Sequence, residues 1–127
     1  MFPIDVRDVR PIYEQIIDQI KEQVIKGILK PGDQLPSVRQ LAGNLTVNAN
    51  TVTKAYQELE RQRIIETIRG RGTFIAVLPE KEVNKTKLEE IRKALKGNCI
   101  ELHYMGFYKE QILEEVSKIC EELIKED

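Results

Sequence analysis

The run Pro31-Gly32-Asp33-Gln34-Leu35-Pro36-Ser37-Val38-Arg39-Gln40-Leu41-Ala42 constrains this chain more than any other stretch. Lys30-Pro31-Gly32-Asp33 has strong turn chemistry. Ser37 is a good N-cap, because a serine oxygen can accept one of the orphan N–H groups of a helix start. Val38, Leu41, Ala42 and Leu45 then form the buried side of a short helix. Asn44 and Thr46 close it in a tight turn. Asn48 caps a further helix over roughly residues 49–62, with Val52, Ala55, Tyr56 and Leu59 inward. Two helices joined by so short a turn form a helix-turn-helix.

The surrounding segments extend that motif. Residues 11–27 read as a helix: Pro11 suits its first turn, and Gly27 can end it. Its apolar stripe runs through Ile12, Ile16, Ile20 and Val24, flanked by Tyr13, Ile17 and Ile28. The β-branched run Ile64–Ile68 and the run Thr73–Val77 read as two strands around Gly70-Arg71-Gly72. The order is turn, short helix, polar helix start and basic two-stranded wing, which is that of a DNA-reading winged helix. Pro79 ends this domain, and Glu80–Asn84 is a charged connector. Leu88, Ile91, Leu95, Asn98/Cys99, Leu102 and Met105 recur at three and four residues, which predicts one long amphipathic helix. Gly97 weakens it by ~1 kcal/mol relative to Ala. Gly106 breaks it. A last helix points Ile112, Leu113, Val116, Ile119, Cys120 and Leu123 inward. The expected class is mostly α (α+β): a winged helix-turn-helix over residues 1–78 and a two-helix dimerisation region over residues 79–127.

Composition narrows the function. A chain of 127 residues with 41% hydrophobic and 32% charged residues suits one small domain with an appendage. No apolar stretch nears the ~20 residues of a membrane span, and Met-Phe-Pro-Ile-Asp does not read as a signal sequence. A cytoplasmic protein with no membrane partner is expected. Cys99 and Cys120 are too few for a disulfide framework and read as a pair of small, buried core thiols. The net charge of −1 hides an asymmetry. Residues 1–78 carry 11 Lys/Arg against 9 Asp/Glu, and residues 79–127 carry 9 against 12. From Ser37 to Thr73 the balance is 6 against 3, so positive charge concentrates on the expected DNA face. Phosphates feel charge over about one Debye length, ~8 Å, so this local excess outweighs the acidic whole.

The chain from Pro11-Ile12-Tyr13 to Phe74-Ile75 resembles the GntR superfamily of bacterial transcription regulators. Leu35-Pro36-Ser37-Val38-Arg39, Leu41-Ala42, Thr51-Val52, Ala55-Tyr56, Leu59-Glu60 and Gly70-Arg71-Gly72-Thr73-Phe74 occur in the expected order and spacing. The brief two-helix tail is similar to that of the YtrA-like branch, in which it dimerises the protein. The resemblance also implies control of transporter operons. It does not imply the ligand-binding or aminotransferase-like domains of longer branches. Where the family usually has glycine after the third helix, this chain has Arg63.

The expected DNA contacts divide into three groups. Ser37 and Arg39 open the second helix. The resemblance implies that Arg39 reaches into the major groove, where its planar fork matches guanine O6 and N7. Asn48, Ala49, Asn50, Thr51, Thr53 and Lys54 open the recognition helix. Asn50 can read adenine, while Ala49 and the Thr51 methyl can meet a thymine methyl. Asn48 is either only an N-cap or a DNA contact, and Lys54 suits a phosphate better than a base. At the wing tip, Arg69, Gly70, Arg71 and Gly72 suit a minor groove. Tyr56 belongs to the core, because it lies on the Val52/Leu59 side of its helix. Leu88, Ile91, Leu95, Leu102, Met105, Ile112, Val116 and Ile119 are the expected dimer contacts.

Other constellations carry less. Cys99 and His103 are four residues apart, but two ligands do not close a metal site, so no metal and no cofactor is expected. Glu114-Glu115 and Glu121-Glu122 read as solvated faces. No nucleophile–base pattern and no phosphate-cradling loop marks an enzyme. The reading is a repressor that binds double-stranded operator DNA as a homodimer. Its rival is a winged-helix module that binds proteins and has no specific DNA target. The operator, the target genes and any small-molecule effector are not encoded in a readable way.

Overall fold

The computed structural model describes residues 4–5, 7–77 and 83–124. Pro79 and residues 80–82 of the charged connector lie outside the described residues. The chain forms two compact units, Met1–Pro79 and Glu80–Lys125. Helices α1 (Ile12–Ile25), α2 (Val38–Leu45) and α3 (Ala49–Arg61) belong to the first unit, with strands β1 (Gln34–Leu35), β2 (Ile65–Ile68) and β3 (Gly72–Ile75). Helices α4 (Lys85–Tyr104) and α5 (Lys109–Ile124) belong to the second.

The first unit is built around the periodic residues. Ile16 and Ile20 of α1, Leu41 of α2, and Val52, Ala55 and Leu59 of α3 are fully buried, with Leu35, Ile65 and Ile75 added from the strands. The side chains of α1 and α3 at i, i+3 and i+4 spacing thus face one another across a single core. Ile28 departs from the expected stripe: α1 ends at Ile25, Gly27 turns the chain, and Ile28 is left exposed. Gln15 is the buried polar side chain among the described residues of this unit. Its carboxamide accepts from the Asp5 N–H and donates to the Asp5 carbonyl, both at 2.9 Å, and so fastens the N-terminal segment to α1.

The sheet is larger than the expected wing. Three strands lie in the order β1-β3-β2, all antiparallel. The added strand, β1, pairs Gln34 with Phe74 and Leu35 with Thr73. Two residues followed by proline are too short for an alternation to show, which is why sequence periodicity misses this strand. The Lys30–Asp33 turn feeds it, with the Asp33 N–H on the Lys30 carbonyl and the Asp33 carboxylate accepting from the Lys30 N–H.

Two helix ends hold non-glycine residues in left-handed backbone. Thr46 (φ 56°) follows α2, and Arg63 (φ 61°) follows α3. Both ends carry the paired bonds of a Schellman closure. Val47 donates to the Ala42 carbonyl and Thr46 to Gly43; Ile64 donates to Leu59 and Arg63 to Glu60. Arg63 is exposed, and its side chain makes no hydrogen bond or ion pair among the described residues. Arg63→Gly therefore removes a steric cost without removing a contact. It is expected to stabilise the first unit by up to ~1 kcal/mol, a rise of roughly 4–8 °C in Tm for a domain of this size. A lower Tm for the variant would contradict the steric account.

The second unit departs from the expected tail. Within one chain, α5 does not turn Leu113, Val116, Ile119 and Cys120 inward; all four are exposed, and Ile112 alone is a buried hydrophobic residue of the described tail. Leu88, Ile91, Leu95 and Met105 of the α4 side are exposed as well, and Leu102 is half-buried. Cys99 is half-buried and Cys120 exposed, so they are not the expected pair of core thiols. The physical reason is that α4 and α5 do not pack along each other within the chain, so the apolar stripe of each is left uncovered. Gly106 (φ 90°) sits at the turn after α4, where His103 packs its ring edge against Tyr108.

Candidate nucleic-acid interface

The start of α2 is fixed by two devices. The Ser37 hydroxyl accepts from the Gln40 N–H at 3.1 Å, while the Gln40 side chain accepts from the Ser37 N–H at 2.9 Å. This capping box leaves the Ser37 O–H proton free for another acceptor. The second device joins α2 to α3: the Tyr56 hydroxyl donates to the Pro36 carbonyl at 2.7 Å. Tyr56 is otherwise enclosed by the core, as its place on the Val52/Leu59 side implies. Arg39 stands in the first turn of the helix held this way, exposed.

Burial pushes the Tyr56 phenol from 10.0 up to about 12. The neutral form is the one that folds, so its contribution is fully present below pH 10 and is lost as pH rises toward 12. Near-ultraviolet titration is expected to show a tyrosinate component near pH 12 that is absent in Tyr56→Phe. A variant titration that overlays the parent would refute this burial. Tyr56→Phe should also cost about 1 kcal/mol by orphaning the Pro36 carbonyl.

The start of α3 shows the capping role of Asn48. Its side-chain oxygen accepts from the Asn50 N–H at 2.8 Å, so it is an N-cap. Its amide NH2 has no acceptor among the described residues, which leaves it available to a ligand. Ala49 and Asn50 are exposed; Thr51 and Thr53 are half-buried. Lys54 is exposed too, but not unengaged: its Nζ lies 4.0 Å from the centroid of the Tyr13 ring. No local signal ties residue 13 to residue 54, and only the packing of α1 on α3 brings them together.

The wing tip is a three-residue loop between Ile68 and Gly72, which are paired in the register. The Arg71 N–H donates to the Ile68 carbonyl at 2.9 Å, and Gly70 at φ 80° takes the position of a type II turn that requires positive φ. Arg69 and Arg71 are exposed. The Arg71 carbonyl accepts from Gln34 Nε2 at 3.1 Å, a contact across 37 positions that sequence reading does not find.

Charge pairing separates the arginines of this unit. Arg10 is held by Asp8 at 3.2 Å and by Asp18. Arg61 is held by Glu58 at 2.8 Å, and this guanidinium, with Gln62, draws the Glu58 carboxyl down to about 2. Arg39, Arg69 and Arg71 have no carboxylate partner among the described residues, and neither do Arg7 and Arg63. Arg39, Arg69 and Arg71 therefore present uncompensated charge and free donors at the helix start and the wing tip. Among the described residues no cluster of three or more His, Cys, Asp or Glu could hold a metal, and no helix is long and apolar enough to cross a membrane.

The model of the family described as bacterial regulatory proteins, gntR family, matches residues 12–75. The chain is similar to the HTH-type transcriptional repressor YtrA of Bacillus subtilis, with 50% identity over 119 residues, 94% of this chain and 92% of that protein. It is similar in structure to a transcriptional antiterminator from Listeria monocytogenes EGD-e: the TM-score is 0.92 at 45% identity, covering 100% of this chain and 95% of that one. A third similarity is to the DNA-binding domain of AraR in complex with an operator, at a TM-score of 0.51 and 26% identity, covering 60% of this chain and 93% of that one.

Proposed function

The chain belongs to the gntR family of bacterial regulatory proteins, in its YtrA-like branch, and is a DNA-binding transcription regulator; from that premise we propose that it represses as a homodimer on a two-fold operator. In this reading Asn48, Ala49, Asn50, Thr51 and Thr53 bring α3 into a major groove. Arg39, seated by the Ser37 cap, reads a guanine there. Ser37 and Lys54 meet phosphates, and Arg69 and Arg71 enter the flanking minor groove around Gly70 and Gly72. Repression is by occupancy, with no catalytic step, and takes place in the cytoplasm.

The observation that carries the reading is that Arg39 at the helix start and Arg69 and Arg71 at the wing tip have no carboxylate partner among the described residues, while Arg10 and Arg61 of the same unit are carboxylate-held. A guanidinium without a protein partner has no intramolecular bond to lose when it meets a phosphate or a base edge. The tail supports the dimer. Leu88, Ile91, Leu95, Leu102, Met105, Val116 and Ile119, with Ile112 beneath, form a second copy's contact surface.

The test is salt-dependent binding to duplexes selected from random DNA. Arg71→Ala is expected to weaken selected and unselected duplexes alike. It should lower the slope of log affinity against log salt by about one ion per half-site. Unchanged affinity with an unchanged slope would remove the wing from the interface. A full-length protein with no salt-dependent duplex binding would remove the whole reading.

A further inference from the structure

We propose that Gln34 is the positioning residue of the wing: its carboxamide sets where Arg69 and Arg71 stand relative to α2 and α3. The inference rests on the reading that the wing contacts DNA. Three observations carry it. First, the bond from Gln34 Nε2 to the Arg71 carbonyl, 3.1 Å, is the one hydrogen bond among the described residues that ties loop residues 69–71 to anything outside their own hairpin. Second, the contact has a shaped seat. A Cβ added to Gly72 (φ 121°) would lie 2.7 Å from the same Nε2, so the bare glycine backbone makes the room that the amide occupies. Third, Gln34 stands two residues before Pro36, whose carbonyl takes the Tyr56 hydroxyl of α3 at 2.7 Å. A short bracket therefore runs from the wing tip through β1 to α3.

The chemistry favours glutamine here. The NH2 group donates to a carbonyl that would otherwise face solvent or a phosphate as a bare acceptor. Glutamate has the same reach but no donor, and it would set a negative charge beside both the carbonyl and the DNA. Gln34 is exposed, so the core does not depend on it.

Gln34→Met in the full chain keeps the length and fills the seat over Gly72 but deletes the donor; Gln34→Glu adds the charge. Both should melt close to the parent, since they touch no buried residue. One neutral hydrogen bond corresponds to an expected loss of about 3- to 10-fold in duplex affinity per wing for Gln34→Met, and Gln34→Glu should lose more. NMR order parameters of Arg69, Gly70 and Arg71 in the free protein should fall in both variants. In an Arg69→Ala/Arg71→Ala background the affinity effect of Gln34→Met should shrink toward none, because both groups it positions are gone. Unchanged order parameters, or a Gln34→Met loss that persists in full in that background, would overturn the inference while leaving the wing's DNA role intact. Arg71→Ala without effect on affinity or salt slope would instead overturn the DNA role, and this inference with it.

Discussion

A chain ending after Pro79 is expected to fold, to remain monomeric, and to lose operator affinity by about 10²- to 10⁴-fold. The first unit has what an independent domain needs. Ile16, Ile20, Leu41, Leu59, Ile65 and Ile75 are each buried almost completely, and the helices and strands that supply them all lie before residue 79. Nothing comparable exists among the described residues of the tail, where Ile91, Leu95, Val116 and Ile119 are 47%, 50%, 44% and 55% exposed. The affinity loss follows from linkage. A second half-site bound by a tethered winged helix meets its partner at high effective concentration, and cutting the tether returns it to bulk concentration.

The tail's own energetics point the same way. Helices such as α4 and α5, of 20 and 16 residues, draw most of their stability from packing an apolar face rather than from propensity. Burying one Leu- or Ile-sized side chain contributes about 1.5–3 kcal/mol. Four helices from two chains can bury the α4 and α5 stripes together, as in a four-helix bundle, whereas two cannot. A two-fold assembly also spaces two recognition helices by a DNA turn or a multiple of it, ~34 Å or more. Leu95→Glu with Ile119→Glu should reproduce the truncation in a full-length chain. Sedimentation of all three proteins decides the matter. A full-length monomer at micromolar concentration, or a truncated chain that still dimerises, would remove the tail from the assembly.

What could be read in the sequence follows the range of each interaction. The α3 stripe Val52, Ala55, Tyr56, Leu59 is local, and the structure buries all four. The Ser37 and Asn48 caps are local as well, and both are formed. The wing turn announced itself through Gly70 and Gly72. What escaped depends on partners far away in the chain. Strand β1 exists because β3, some 38 residues on, offers Phe74 and Thr73. Gln34 and Arg71, like Tyr13 and Lys54, meet only after α1, α3 and the sheet have assembled. Thr46 escaped for another reason: a β-branched residue is a poor sign of left-handed backbone, yet the Ala42 and Gly43 carbonyls hold it there. The tail's periodicity was legible, but periodicity says only that a stripe must be covered. It does not say by what, and one chain leaves that stripe open.

Arg39→Ala is expected to cost ~1–3 kcal/mol on the best operator, about 5- to 150-fold, and to flatten preference at one base pair in each half-site. The prediction depends on how the side chain is presented. Ser37 and Gln40 lock the first turn of α2, Tyr56 pins the residue before the cap, and Arg39 projects from that turn with no competing carboxylate among the described residues. The backbone beneath the guanidinium is thus already ordered before DNA arrives, so less entropy is lost on binding. Arg39→Lys separates charge from geometry. An ammonium keeps the attraction to phosphates but lacks the fork that engages O6 and N7 together. This variant should therefore hold nonspecific affinity near the parent while losing most of the discrimination. Competition against every single-base variant of a selected operator reads this out. A loss spread evenly over all positions, with a smaller salt slope, would make Arg39 a phosphate contact. Full retention of sequence preference in Arg39→Ala would leave base reading to the start of α3 alone.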